Sequence, residues 1–326
     1  MAGASPIAPI WSRRGLVLKP GLAGAGWSDH CQMPTPYRAD AKTLRLFYCS
    51  RDSNNRAHVF HADIEPCPPW RVLAHSNGPV LAPGPLGSFD AAGVMPTSVV
   101  ERDGVLWMYY IGWSVRADVP YHNAIGIAQS HDGGRSFARL LPGPVVGTAA
   151  REPYFCGTAD VARVGDGWRM WYMSATEWRV IGDRTEPRYH LKQASSLDGI
   201  TWDHGRDVAV DYLSETEGGI ARATVMSGAD GYWMWFCHRG LTGYHGQGPG
   251  AYRLGVAHSP DGSDWRRLPG ARIFDSEPDS GDFDADMQCY PAVFETADAV
   301  WMFYNGSDFG QTGIGISKLA SSGARP

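Results

Sequence analysis

Five times along this chain an acidic residue precedes an aliphatic–aromatic–aromatic run by 16 to 18 positions: Asp29, Asp90, Glu152, Glu217 and, in the last case, both Asp284 and Asp286. Carboxylates crowded into one concavity raise one another's pKa, so a protonated acid and an ionised base can coexist near neutral pH. That pairing serves acid–base attack at an anomeric carbon, with the separation of the two carboxyls deciding the stereochemistry. A lone Asp most often caps a turn, but a shared register asks for a shared cause. Asp29, Asp90 and Glu152 are the expected catalytic set, with Glu217 and Asp286 completing an acidic ring.

Further polar and aromatic residues fall near the same positions. Aromatic faces beside guanidinium, imidazole and carboxylate groups suit a sugar, whose C–H faces stack and whose hydroxyls need donors and acceptors. The expected substrate-binding set is His30, Gln32, Arg51, Trp113, Trp178, His190, Lys192, Glu217, Arg222, His238 and Asp286. Arg51, Lys192 and Arg222 are expected to balance the acids. A second reading gives His30, His190 and His238 a divalent metal at the axis, to polarise substrate or activate water. A third is a non-catalytic carbohydrate-binding platform. No cofactor is required by any motif.

The elements that must position these residues are strands. The runs Leu46-Phe47-Tyr48, Met108-Tyr109-Tyr110, Met170-Trp171-Tyr172, Met234-Trp235-Phe236 and Met302-Phe303-Tyr304 recur at intervals of 62, 62, 64 and 68 residues. Asp103-Gly104, Asp166-Gly167 and Asp230-Gly231 precede three of them as hairpin turns. A third strand follows each run, and a Ser-x-Asp-Gly turn with a later aromatic (Phe137, Trp202, Trp265) leads to a fourth in three units. Four strands in each of five repeats predicts an all-β, five-bladed β-propeller. The blades are expected near 27–80, 88–145, 151–210, 215–275 and 282–320, within one domain spanning 1–326. The last repeat lacks a fourth strand, which the segment 14–18 is expected to supply, closing the ring and removing open edges.

Composition narrows the partners. The chain has 326 residues, 43% hydrophobic and 19% charged, with a net charge of −5 and no basic run. A nucleic-acid or anionic-membrane partner needs a basic stripe, so neither is expected, and a small molecule is. No apolar stretch is long enough to span a bilayer. Met1 to Ile10 lacks a basic n-region and does not read as a signal peptide. Six cysteines without a compact framework then predict free thiols and a cytoplasmic setting.

Several segments together resemble the five-bladed propeller glycosidases, glycoside hydrolase families 43, 32, 68, 117 and 130. They are residues 29–36, 89–96, 152–154, 189–192, 217–222 and 305–310, together with the Ser-x-Asp-Gly turns. The likeness is nearest to family-43-like propellers of polysaccharide and secondary-metabolite gene clusters, which implies a biosynthetic role. It also implies a base or nucleophile at Asp29, a pKa-tuning acid at Asp90 and a proton donor at Glu152.

Overall fold

A computed structural model describes residues 6–21, 24, 27, 30–246 and 248–320. Among these, regular structure is almost entirely β. The strands are β1 (Trp11–Leu18), β2 (Gln32–Arg38), β3 (Leu44–Arg51), β4 (Ala57–Ile64), β5 (Val72–His75), β6 (Gly93–Arg102), β7 (Val105–Ser114), β8 (His122–Ser130), β9 (Ala138–Arg139) and β10 (Cys156–Val164). They continue with β11 (Gly167–Ile181), β12 (Arg184–Ser196), β13 (Asp203–Val210), β14 (Glu217–Gly228), β15 (Gly231–Gly240), β16 (Arg253–Ser259), β17 (Arg266–Arg267), β18 (Cys289–Glu295), β19 (Val300–Asn305) and β20 (Ile314–Leu319). Among the described residues no helix is long and apolar enough to cross a membrane.

The strands form antiparallel meanders of four: β2 to β5, β6 to β9, β10 to β13, β14 to β17, and β18 to β20 with β1. Single parallel pairings, Ala57↔Gly93 and Tyr189↔Gly219, join the first meander to the second and the third to the fourth. The first strands pack in a cycle: β2 on β6, β6 on β10, β10 on β14, β14 on β18, and β18 on β2.

Strand periodicity explains how neighbouring meanders adhere. Successive side chains point to opposite faces, so each aromatic run divides between two gaps. Phe47 meets Met108 and Tyr110 in one gap. Tyr109, on the other face of that second run, meets Met170 and Tyr172. Trp171 meets Met234 and Phe236, Trp235 meets Met302 and Tyr304, and Phe303 meets Leu46 and Tyr48. The aliphatic–aromatic–aromatic repeat is thus a two-sided adhesive: its outer residues grip the preceding meander and its middle residue the next.

The expected N-terminal strand is present and starts earlier than residue 14. β1 pairs antiparallel with β20, Trp11 opposite Leu319. Trp11 is fully buried, edge-on to Trp235 with ring centroids 5.1 Å apart. The hairpin turns differ from expectation in detail. Asp103 and Gly104 both have positive φ (53° and 78°), as a type I′ turn requires. The other two pairs supply only one turn residue each, because Gly167 and Gly231 already begin the next strand. The Ser-x-Asp-Gly turns are Asx-type loops: Asp132 accepts the N–H groups of Arg135 and Ser136, Asp198 those of Ile200 and Thr201, and Asp261 those of Ser263 and Asp264. All six cysteines are unpaired, with Cys67 alone exposed.

Removing an indole buried on this scale costs about 3–5 kcal/mol. Trp11→Ala should therefore lower the unfolding free energy by that amount in a denaturant titration, whereas Leu86→Ala, at a fully exposed side chain, should leave it unchanged.

Candidate active site

Each first strand carries a register break against its second strand: between Gln32 and Thr35, Pro96 and Ser98, Gly157 and Ala159, Ala221 and Thr224, and Cys289 and Ala292. Four of the breaks hold a non-glycine residue at positive φ: Met33, Thr158, Arg222 and Tyr290. Bulges of this kind bend a strand and re-aim its side chains. Here they turn Met33, Thr158, Ala221 and Tyr290 onto a cavity of about 600 Å³ at the centre of the cycle.

Aromatic and neutral polar groups dominate the wall. Trp113, Tyr121, Tyr189, Tyr244, Tyr252 and Phe309 contribute rings, while Gln32, Asn55, Asn123 and Gln311 contribute amides. Arg51, His30 and His245 are its basic members. Across the axis beside Ala221, Arg222 reaches from β14 to two strands that are not its neighbours. Its guanidinium donates to the carbonyl of Pro34 at 2.7 Å, to the Thr35 hydroxyl at 3.1 Å, and to the Thr97 carbonyl. Burial pulls its pKa down to about 10, which leaves it charged at neutral pH.

Of the binding residues expected from sequence, His30, Gln32, Arg51 and Trp113 line this cavity. Asp29 lies outside the described residues. Trp178 stands one ring behind, packed on cavity-lining Tyr121 at 5.4 Å and on Phe155. The backbone of Asp286 meets Arg253 and Ser307. Arg222 crosses the axis, and the acid whose charge it feels is Asp160 on β10, not a member of the expected ring.

Of the acids in register that lie among the described residues, Asp90, Glu152, Glu217 and Asp284 do not line the cavity, where convergence was expected. Each of these four is buried at the head of its own meander and braced by a hydroxyl or imidazole on the second strand and a cation on an outer strand. Asp90, 0% exposed, accepts from the Tyr110 hydroxyl at 3.1 Å and from Arg139 at 2.7 Å. Glu152, 1% exposed, accepts from Tyr172 at 2.7 Å and pairs with Lys192 at 3.2 Å. Asp284, not Asp286, is the member of the last unit: it accepts from Tyr304 at 2.8 Å and from Arg13 on β1 at 3.0 Å. Glu217 takes Arg267 in a fork at 2.8 and 2.6 Å, with His238 at 3.1 Å. Burial pushes the Tyr110, Tyr172 and Tyr304 phenols up, so they stay donors. For Glu217, burial would raise the pKa, but His238, Arg267 and the Leu213 N–H outweigh it and hold the carboxyl at about 2.

These partners had a signature in the sequence. The tyrosine is the final residue of the aromatic run, 20 positions after the acid in three units. Arg139 and Arg267 each follow the anchoring aromatic of the Ser-x-Asp-Gly turn, Phe137 and Trp265, by two residues.

The metal reading is not supported by donor placement. His190 is drawn to Asp211 at 2.9 Å and stacks on Tyr212, while His238 belongs to the Glu217 brace. Among the described residues no group of three or more His, Cys, Asp or Glu side chains could hold a metal ion.

Sequence reasoning missed the aromatic wall of Tyr189, Tyr244 and Tyr252 around Arg239. Two glycine sites make room for cavity rings. A Cβ on Gly93 would stand 2.0 Å from the Trp113 indole nitrogen, and one on Gly219 would stand 2.2 Å from the Tyr189 ring. Both glycines lie at the parallel junctions between meanders.

No protein-family model matches the chain. Two proteins of Mycobacterium tuberculosis, MT1551 of strain CDC 1551 / Oshkosh and Rv1502 of strain ATCC 25618 / H37Rv, both described as uncharacterised, are 32% identical over 311 residues, covering 95% of this chain and 99% of theirs. Among solved structures, BT0996 in an RGII complex matches with a TM-score of 0.71 at 17% identity, over 96% of this chain and 94% of that one. A glycosyl hydrolase from Bacteroides ovatus matches at 0.67 and 15%, over 98% and 97%. The β-1,2-mannobiose phosphorylase of Listeria innocua, in complex with β-1,2-mannobiose, matches at 0.65 and 11%, over 93% and 94%. At these identities the likeness is one of fold, that of the propeller-type glycoside hydrolases.

The Glu217 brace sets a pH dependence. A carboxyl held at about 2 stabilises the fold above its unfolded value of roughly 4.3, and that stability is lost as pH falls through the folded value. Glu217→Gln should cost about 3–5 kcal/mol at pH 7, because Arg267 is left buried without its partner. It should also flatten the decline of stability between pH ~4.5 and ~2, followed by denaturant unfolding at each pH.

Proposed function

We propose a function for a chain that belongs to the family of the Mycobacterium tuberculosis proteins MT1551 and Rv1502: it is a carbohydrate-active enzyme of glycosidase-like type, acting on a sugar or glycosylated small molecule in the axial cavity. We read residues 1–326 as one five-bladed propeller closed by β1. The cyclic packing of the first strands and the gap-to-gap division of the aromatic runs support that reading. A role in building a sugar-bearing metabolite and a cytoplasmic setting complete the proposal.

The observation that carries it is the wall of the cavity. A volume of about 600 Å³ falls within the ~300–1,000 Å³ usual for small-molecule sites. Rings offered beside amides and imidazoles match the alternating C–H faces and hydroxyls of a pyranose or furanose. The solved structures sharing the fold include glycoside hydrolases and a mannobiose phosphorylase, so both hydrolysis and phosphorolysis belong in the test. Asp29 is proposed as an acid–base group because it directly precedes His30, whose side chain lines the cavity. Asp90 and Glu152, enclosed in their braces, are proposed as positioning residues that hold the loops leading into β6 and β10.

Purified protein should cleave members of a panel of nitrophenyl and natural disaccharide glycosides, with sugar and sugar-1-phosphate followed with and without inorganic phosphate. Trp113→Ala should raise KM about 10-fold or more with a smaller change in kcat, since it removes a stacking face. Asp29→Asn should lower kcat by ~10²-fold or more. No turnover across the panel, together with no sugar-induced rise in Tm, would overturn the reading.

A further inference from the structure

The brace residues account for the acids in register, but not for a cation buried beside the cavity. Arg239 on β15 is 2% exposed, and every hydrogen-bond acceptor found for it among the described residues is formally neutral. Its Nε donates to the Tyr189 phenol oxygen at 2.8 Å, and its two terminal nitrogens donate to the carbonyls of Gly240 at 2.8 Å and Pro187 at 2.9 Å. Its guanidinium carbon lies 3.8 Å from the centre of the Tyr244 ring and 4.9 Å from that of Tyr189. A buried guanidinium needs its donors met, and among the described residues Tyr189 supplies the one side-chain oxygen to which Arg239 donates.

The same oxygen has a second partner, the hydroxyl of Tyr252. Burial pushes the Tyr252 phenol far up, so it stays protonated and can donate. Tyr244 donates to Glu186 at 2.5 Å and is likewise pushed up by burial, as are Tyr121 and Tyr290. Among the described residues, Tyr189 is the one cavity phenol served by both a cationic N–H and a neighbouring O–H. The backbone is cut to fit this pair: a Cβ on Gly218 would stand 2.5 Å from the Arg239 guanidinium, and one on Gly219 2.2 Å from the Tyr189 ring.

We propose that Tyr189 is a proton-transferring residue of the axial cavity, with Arg239 and Tyr252 as its positioning residues; this rests on the glycosidase-like reading above. Its O–H proton passes to the glycosidic oxygen as the bond from that oxygen to the anomeric carbon breaks, the bonding pair going to oxygen. The phenolate left behind keeps the N–H of Arg239 and the O–H of Tyr252. Water then forms the new bond to the anomeric carbon as the Asp29 carboxylate, the base proposed above, takes the proton it sheds. Exchange with solvent returns that proton to the bulk and one from the bulk to the phenolate.

The test compares wild type and Tyr189→Phe on two aryl glycosides of the same sugar. A 2,4-dinitrophenolate departs without a proton, whereas a 4-methoxyphenolate needs one. Tyr189→Phe should lower kcat on the 4-methoxyphenyl glycoside by ~10²-fold or more and on the 2,4-dinitrophenyl glycoside by less than about 10-fold. Equal losses on both, or no loss, would overturn the assignment. A second measurement does not depend on turnover. Benzenesulfonyl fluoride should label Tyr189 ahead of the other tyrosines, the phenol oxygen bonding to sulfur as fluoride leaves and buffer takes the phenol's proton. Peptide mapping reads the site, and Arg239→Gln should slow the labelling. Selective labelling with no glycoside turned over upholds the reactive phenol and contradicts the glycosidase reading. Turnover with neither labelling nor a leaving-group split overturns Tyr189 and leaves that reading standing.

Discussion

Alternation of side chains along a β-strand is the constraint on which the rest of this structure depends. Because consecutive residues face opposite ways, three apolar residues in a row cannot all enter one core. The middle residue of each run must find a different partner from the two beside it. Tyr109 does so against Met170 and Tyr172, while Met108 and Tyr110 close on Phe47. Repetition of that division commits every meander to two neighbours, and the meander of β18 to β20 returns to the one that begins with β2 through Phe303, Leu46 and Tyr48.

Packing of this kind brings the first strands together at the axis, and backbone polar groups there need partners. The register breaks free backbone groups from the ladder and aim side chains inward. Side chains meet the freed groups: Asn305 accepts the Met33 N–H and the Thr158 hydroxyl that of Arg222. Arg222 spans the axis on carbonyls and a hydroxyl of β2 and β6, which ties distant strands together beside the cavity. Further out, the braces lock the loops that lead into those strands. A buried carboxylate with a phenol and a guanidinium on its oxygens tolerates little displacement, since loss of either partner leaves a charge or a donor unsatisfied. Rigidity at the rim is what lets a wall of rings present a fixed face to a ligand.

Much of this was legible in the residues. The aromatic runs, the Ser-x-Asp-Gly turns and the missing fourth strand of the last repeat identified the strands and the role of the N-terminal segment. The acids in register were also visible, but their destination was not. Whether Asp90 faces a cavity or a brace depends on Arg139, which is 49 residues away and on another strand. A repeated acid followed 20 residues later by a tyrosine is the signature of such a brace, and it competes directly with a catalytic reading of the same acids. The Tyr189–Arg239 pair was illegible for a different reason. It joins strands of adjacent meanders, and the glycines that admit it, Gly218 and Gly219, carry no side chain to announce a contact.

The most direct measurement is a crystal structure of the protein soaked with the glycoside that it turns over best. The expected result is a sugar ring in the axial cavity, stacked on Trp113 or a cavity tyrosine, with its glycosidic oxygen within hydrogen-bond distance of Tyr189. A sugar bound instead against Asp90 or Glu152, with their partners Arg139 and Lys192 displaced, or on the outer strands, would contradict it.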